Sequence, residues 1–63
     1  MKKQTAWEII KDIQTYGADE VQPEDYGITE AVYKTIQHAA EKYRRKPEKA
    51  FKIVAKKLHI EEG

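Results

Sequence analysis

Cysteine is absent from the 63-residue sequence, which excludes disulfide bonds and thiolate metal sites. A chain of this length buries only about 60% of the surface that its unfolded state exposes, so small domains often need such a staple. The two histidines are too few for a zinc site, and we expect neither a metal nor a cofactor. We therefore expect stability to come from efficient packing or from self-association as a homodimer.

Long apolar runs are also absent. No stretch approaches the roughly 20 apolar residues that cross a bilayer, and no apolar run of secretory length follows the basic start Met1-Lys2-Lys3. We therefore expect a cytoplasmic protein without a membrane partner, which agrees with the lack of cysteine. So short a chain has little volume for a pocket of pre-positioned groups, so we expect neither an enzyme nor a small-molecule substrate.

Glycine and proline are scarce, and apolar residues recur between them at helical spacing. Gly17 is placed to end a first helix, and Pro47 suits the first turn of a third. No alternating pattern indicates a strand. The spacing predicts helices over about 5–16, 29–45 and 48–59. The expected fold is all-α, a compact three-helix domain over residues 1–63.

Local signals refine these helices. Thr5 and Glu8 have the spacing of a capping box, and Thr29 suits the N-cap of the second helix. The connecting segment can form one helical turn between Pro23 and Gly27. The second helix carries an apolar stripe, and the residues from His59 to Gly63 are expected to fray. The stripe comprises Ile28, Val32, Ile36, Ala39 or Ala40, and Tyr43.

Charge divides the chain into two unlike halves. Residues 1–30 carry three lysines against seven carboxylates, whereas residues 31–63 carry nine basic side chains against four acidic ones. The two halves therefore face different partners or each other. The candidate contacts of the basic half are Arg44, Arg45, Lys46, Lys49, Lys52 and Lys56.

A positive cluster on one helical face is what non-specific contact with nucleic-acid phosphates requires. The third helix carries Lys49, Lys52 and Lys56 on one face and apolar side chains on the opposite one. Two other interpretations stay open. A lysine face also keeps a helix soluble without binding anything, and it can contact an acidic protein surface or membrane.

Residues 40–54 combine small and apolar positions around a short turn. Ala40 and Tyr43 precede the turn, and Ala50 and Ile53 follow it. This pattern resembles the core of bacterial helix-turn-helix DNA-binding domains, whose second helix enters the major groove. In place of the family's turn glycine and of the apolar residue after it stand two arginines, Arg44 and Arg45. The resemblance implies DNA binding and transcription regulation.

The acidic residues around Pro23 are Asp19, Glu20, Glu24, Asp25 and Glu30. Their spacing does not match a calcium-binding loop. Three interpretations stay open: a solvated loop, a docking surface for a basic partner or a second copy, and an intramolecular partner for the basic helices. Tyr33 lies beside the apolar stripe, where an exposed aromatic would anchor a protein partner.

The leading interpretation is a small non-enzymatic regulatory protein that binds DNA through its basic helical face. The alternative is a protein–protein interaction module, a small adaptor or an inhibitor of a larger protein. That module would use the acidic segment, an exposed aromatic or the basic face against an acidic protein surface. Charge asymmetry supports both interpretations equally.

Overall fold

The computed structural model describes residues 1–60, which form three α-helices and two short 3₁₀ turns. The helices are α1 (Lys3–Tyr16), α2 (Glu30–Lys42) and α3 (Pro47–Leu58). A connector, residues 17–29, joins α1 to α2 and contains the 3₁₀ turns Ala18–Glu20 and Pro23–Tyr26. Each helix packs against the other two, and the predicted all-α, compact three-helix fold is confirmed.

The core lies at the meeting point of the three helices. Ile9, Ile10, Ile36 and Val54 are its largest fully buried side chains. Small residues let the helix backbones approach closely. The complete set of buried apolar residues is Ala6, Ile9, Ile10, Ile13, Val21, Tyr33, Ile36, Ala39, Ala40, Ala50, Phe51, Val54 and Ala55.

Helix α1 begins two residues earlier than predicted, and the expected capping box is wrong. The N–H of Ala6 already donates to the carbonyl of Lys2 at 3.2 Å, so Thr5 lies inside the first turn. Lys2 is the N-cap and makes no side-chain cap bond. At the other end the N–H of Gly17 donates to the Ile13 carbonyl at 2.9 Å, which confirms the predicted C-cap. Gly17 has a φ of 95°, which only glycine adopts without strain.

The connector packs onto the core rather than looping into solvent. Val21 is buried, and the Tyr33 hydroxyl donates to the carbonyl of Ala18 at 2.9 Å. The predicted helical turn between Pro23 and Gly27 is confirmed as a 3₁₀ turn, with Gly27 in the left-handed region. A long connection of this kind gains its order from such contacts.

Helix α2 is rotated and shortened relative to its prediction. Thr29 caps it as expected, because its hydroxyl accepts from the N–H of Val32 at 3.3 Å. The buried positions are Tyr33, Ile36, Ala39 and Ala40, whereas Ile28 and Val32 are only half-buried.

The α2–α3 turn, residues 43–46, explains why α2 ends at Lys42 rather than at the predicted residue 45. Arg45 has a positive φ of 66°, and the N–H of Lys46 donates to the Tyr43 carbonyl at 3.0 Å. The chain has therefore left the helix before it reaches Pro47, which opens α3 as predicted.

Helix α3 ends in a fixed structure, contrary to the expected fraying. His59 adopts a left-handed conformation with a φ of 57°, and the N–H of Ile60 donates to the Ala55 carbonyl at 2.9 Å. This hydrogen bond satisfies a carbonyl that would otherwise lack a partner at the helix end. The rest of the segment predicted to fray, residues 61–63, lies outside the described residues.

Candidate functional site

Six basic side chains cover the α2–α3 turn and the solvent face of α3, and all six are exposed. On α3 they lie opposite the buried positions Ala50, Phe51, Val54 and Ala55, as the spacing predicted. Together they form what we call the basic surface. Its members are Arg44, Arg45, Lys46, Lys49, Lys52 and Lys56.

The α2–α3 turn is held from below by α1. The side-chain amide of Gln14 donates to the carbonyls of Ala40 and Tyr43, at 3.2 and 3.0 Å. The Ala40 carbonyl lies in the last turn of α2, where helix geometry leaves it without a backbone partner, whereas the Tyr43 carbonyl also accepts from the N–H of Lys46. Gln14 therefore fixes the backbone that presents Arg44 and Arg45.

The Tyr43 ring organises two cations at the edge of the basic surface. The ammonium groups of Lys49 and Lys42 lie 5.1 and 5.6 Å from its centroid. Both distances are within the range of cation–π attraction. The half-buried ring thus holds Lys49 of α3 close to the end of α2.

The basic surface keeps its charge free for a partner. Among residues 1–60 the one ion pair joins Lys34 to Glu30 at 3.9 Å, and both side chains are largely exposed. None of the six basic side chains lies within 4.0 Å of a carboxylate in that part of the chain. The interpretation of the acidic segment as an intramolecular partner for the basic helices therefore gains no support from ion pairs with the basic surface, and it stays a prediction.

The acidic residues of the connector are exposed but distinct from the basic surface. Asp19, Glu20, Glu24 and Asp25 all face solvent, and their side chains make no ion pair in the described part of the chain. They are carried on the two 3₁₀ turns, of which the first packs against α1 and bonds Tyr33 of α2, and the second bonds Asp12 of α1 through Tyr26. Glu30, at the start of α2, extends the same acidic region.

Tyr33 is not the exposed anchor that the sequence suggested. Only 7% of Tyr33 is exposed, because the connector covers its ring. The carbonyl of Ala18 in the connector accepts a hydrogen bond from the Tyr33 hydroxyl. Burial raises the pKa of Tyr33, and the charges of Glu41 and Asp19 raise it further. Its role is to hold the connector on α2.

A second tyrosine ties the connector to α1. The Tyr26 hydroxyl donates to the Asp12 carboxylate. This hydrogen bond raises the pKa of Tyr26 to about 12, with smaller contributions from burial and from the charges of Asp12, Glu8 and Asp25. The connector, and with it the acidic residues, is therefore fixed to two helices.

The helix-turn-helix positions fall into two groups. Ala40 and Ala50 are fully buried, whereas Tyr43 and Ile53 are half-buried. The left-handed residue of the turn is Arg45, one position after the place where the resemblance sets a glycine. The resemblance thus remains a prediction.

Sequence analysis missed a cleft between the C-terminal ends of α1 and α2. Its lining includes Tyr16, Gln14, Glu41, Arg44 and Arg45. Tyr16 is 68% exposed. Its position at the end of α1, directly before Gly17, was the available signal. The juxtaposition of Tyr16 with the two arginines depends on packing between helices and has no local signature.

No helix within residues 1–60 has the length and apolar character needed to traverse a membrane. In the same range, His, Asp and Glu side chains nowhere gather in a group of three suited to a metal ion. Comparison with protein-family models, with curated proteins and with solved structures finds no match.

Proposed function

We propose that this protein is a small, non-enzymatic, cytoplasmic regulator that binds nucleic acid, DNA in particular, through its basic surface. The observation that carries the proposal is the set of six exposed cations on one turn and one helical face, none of which pairs with a carboxylate within residues 1–60. Phosphate contacts of this kind supply most of the sequence-independent affinity of nucleic-acid-binding proteins.

The geometry of α3 suits a phosphate backbone. Lys49 and Lys56 are seven residues apart, which corresponds to about 10 Å along a helix axis. This length exceeds the duplex-axis rise of about 3.4 Å per phosphate of one strand, so the lysine face extends beyond a single phosphate. Arg44 and Arg45 extend the contact beyond the start of α3, and arginine suits phosphate through its paired donors.

The acidic connector restricts the orientation of the complex. Its carboxylates repel phosphate, so the part of the connector that carries them, residues 19–25, lies away from the nucleic acid in the proposed complex. The Tyr26–Asp12 and Tyr33–Ala18 hydrogen bonds hold it on the side of α1 and α2. The protein is therefore electrostatically polar, and this polarity orients its approach to a duplex.

The proposal is tested with a matched pair of double variants. Arg44→Ala with Arg45→Ala removes two cations from the basic surface. Lys2→Ala with Lys34→Ala removes the same charge elsewhere. In fluorescence anisotropy with a labelled duplex, we expect the first variant to bind more weakly and to reduce the salt slope by about 1 per lost contact. Equal binding by the two double variants would show that these arginines do not contact phosphate.

A second candidate function rests on the connector's exposed carboxylates, which form no ion pair among residues 1–60. We propose as the alternative an interaction module, an adaptor or an inhibitor, that docks a basic protein on the connector or an acidic protein on the basic surface. Capture from the native host separates the two functions. A protein partner retained after nuclease treatment and high salt supports the module, and loss of all partners on nuclease treatment supports nucleic-acid binding.

The same polarity favours self-association, with the connector of one copy against the basic surface of another. Sedimentation velocity tests this arrangement. An electrostatic homodimer dissociates as salt rises, because screening weakens contacts between exposed charges. A monomer at low salt and high protein concentration would exclude it.

A further inference from the structure

We infer that the cleft between the ends of α1 and α2 binds one unstacked nucleotide, with its base on the Tyr16 ring and its phosphate on Arg44 and Arg45. This inference rests on the proposed function and deepens it, because it assigns a preference for single-stranded nucleic acid. The cleft brings an exposed aromatic and two arginines, which pair with no carboxylate in the described part of the chain, into one concavity.

Tyr16 supplies the base contact. It is 68% exposed, and none of its atoms is needed to complete the core. Every base has a π face, so stacking on an exposed aromatic ring binds single strands with little regard to sequence. Bases in a duplex are already stacked on each other and do not reach such a ring.

Arg44 and Arg45 supply the phosphate contact. They line the cleft and also belong to the basic surface, so a strand that crosses the basic surface is led into the cleft. Glu41 is the one carboxylate in the described lining, and two arginines against it leave the cleft positive. The excess positive charge of the cleft suits a single phosphate group.

Two structural features keep the cleft in shape before any ligand arrives. The side-chain amide of Gln14 donates hydrogen bonds to the carbonyls of Ala40 and Tyr43 and thereby fixes the end of α2 against α1. Arg45 occupies a left-handed conformation that favours glycine, and its side chain lines the cleft from there. A strained arginine in a lining position is typical of a functional site.

The test compares three probes by anisotropy: an oligothymidine of about 12 nucleotides, an abasic strand of the same length, and a duplex. The variants are Tyr16→Ala and, as the matched control, Tyr16→Phe, which keeps the ring. Both are checked for folding by circular dichroism. We expect Tyr16→Ala to weaken oligothymidine binding by at least about fivefold, and to leave binding of the abasic strand and the duplex unchanged. Tyr16→Phe is expected to bind oligothymidine as the parent protein does.

The outcomes separate this inference from the proposed function. Equal affinity of the parent protein for oligothymidine and for the abasic strand would overturn the nucleotide site and leave phosphate binding intact. An equal loss with all three probes on Tyr16→Ala would also overturn it, since the ring would then act through the fold. Failure of every probe to bind at low salt would overturn both proposals.

Discussion

The side-chain amide of Gln14 lies 3.0 Å from the carbonyl oxygen of Tyr43 and donates a hydrogen bond to it. The same amide nitrogen bonds the Ala40 carbonyl at 3.2 Å. One α1 side chain thus closes the C-terminal end of α2. The α2–α3 turn, which begins at this point, carries the arginines on which both proposals depend.

Gln14→Ala should lower the free energy of unfolding by about 1 kcal/mol, because it leaves the partly buried Ala40 carbonyl without a donor and removes one of the two donors to the Tyr43 carbonyl. Urea denaturation measures the change. Gln4→Ala is the matched control on the same helix, since Gln4 is exposed and its side chain makes no hydrogen bond to any residue that the structure describes. Equal stability of the two variants would show that the Gln14 contacts do not stabilise the turn.

The helices could be predicted from the sequence because their signals are local. Apolar spacing, Gly17, Thr29 and Pro47 indicate three helices, and each of these residues has its predicted role. The predicted capping box of α1 was wrong because the helix begins at Lys3, before Thr5. A residue that suits an N-cap does not prevent a helix from starting earlier in the sequence.

The rotation of α2 had no local signal. The stripe through Val32 and Ile36 was a plausible core face, but the connector folds back and covers Tyr33 instead. That contact joins Tyr33 to Ala18, which is fifteen residues away. The contact with the connector therefore determines that Tyr33, rather than its neighbour Val32, is the buried residue of α2 at this level.

Arg45→Gly should raise the free energy of unfolding by about 1 kcal/mol and at the same time weaken nucleic-acid binding. The gain arises because glycine adopts a φ of 66° without the steric cost that arginine incurs. The loss arises from one missing phosphate contact. Thermal unfolding and duplex anisotropy measure the two effects.

Arg44→Gly is the control for the Arg45 substitution, since Arg44 has no positive φ. It also removes an arginine side chain and should weaken nucleic-acid binding without raising the free energy of unfolding. If Arg45→Gly stabilised the protein and bound nucleic acid unchanged, Arg45 would have no binding role.

The Tyr26–Asp12 hydrogen bond predicts a pH dependence of stability at alkaline pH. The pKa of Tyr26 is raised from 10.0 to about 12 in the folded state. The unfolded chain therefore releases this proton first, and the stabilisation is complete below pH 10 and lost as the pH rises to about 12.

Tyr26→Phe isolates this effect from the titration of lysines and other tyrosines. The difference in unfolding free energy between the parent protein and Tyr26→Phe should be constant below pH 10 and should shrink above it. Urea denaturation at several pH values gives the difference. A constant difference up to pH 12 would show that Asp12 does not hold the Tyr26 proton.

Phe51 anchors α3 to α1 by stacking on Trp7, with ring centroids 4.7 Å apart and planes 11° from parallel. Phe51→Ala should cost about 3–5 kcal/mol, since Phe51 is only 4% exposed. A domain of this size has roughly 3–5 kcal/mol of stability in all, so the variant should be largely unfolded. Far-UV circular dichroism and Trp7 fluorescence report the loss, and Tyr16→Ala should keep the parent spectrum.

The candidate site was predicted in part. The spacing of basic residues on α3 predicted the basic surface, and its side chains are exposed as expected. The contact of Lys49 with the Tyr43 ring and the cleft at Tyr16 arise from helix packing instead. Tyr43 was expected to continue α2, but it is the C-cap, and its ring thereby reaches Lys49 of the next helix. Contacts across such a turn depend on its backbone angles, which the spacing of residues in the sequence does not predict.

The most direct test of nucleic-acid binding is the affinity of the unmodified protein for a labelled duplex, measured by anisotropy at increasing salt. Contact by all six members of the basic surface predicts a logarithmic salt slope of about −5. That slope corresponds to a loss of about a thousandfold between about 50 and 200 mM salt. Absence of binding at low salt, or an affinity that does not change with salt, would contradict the assignment and leave the basic surface as a protein-docking site.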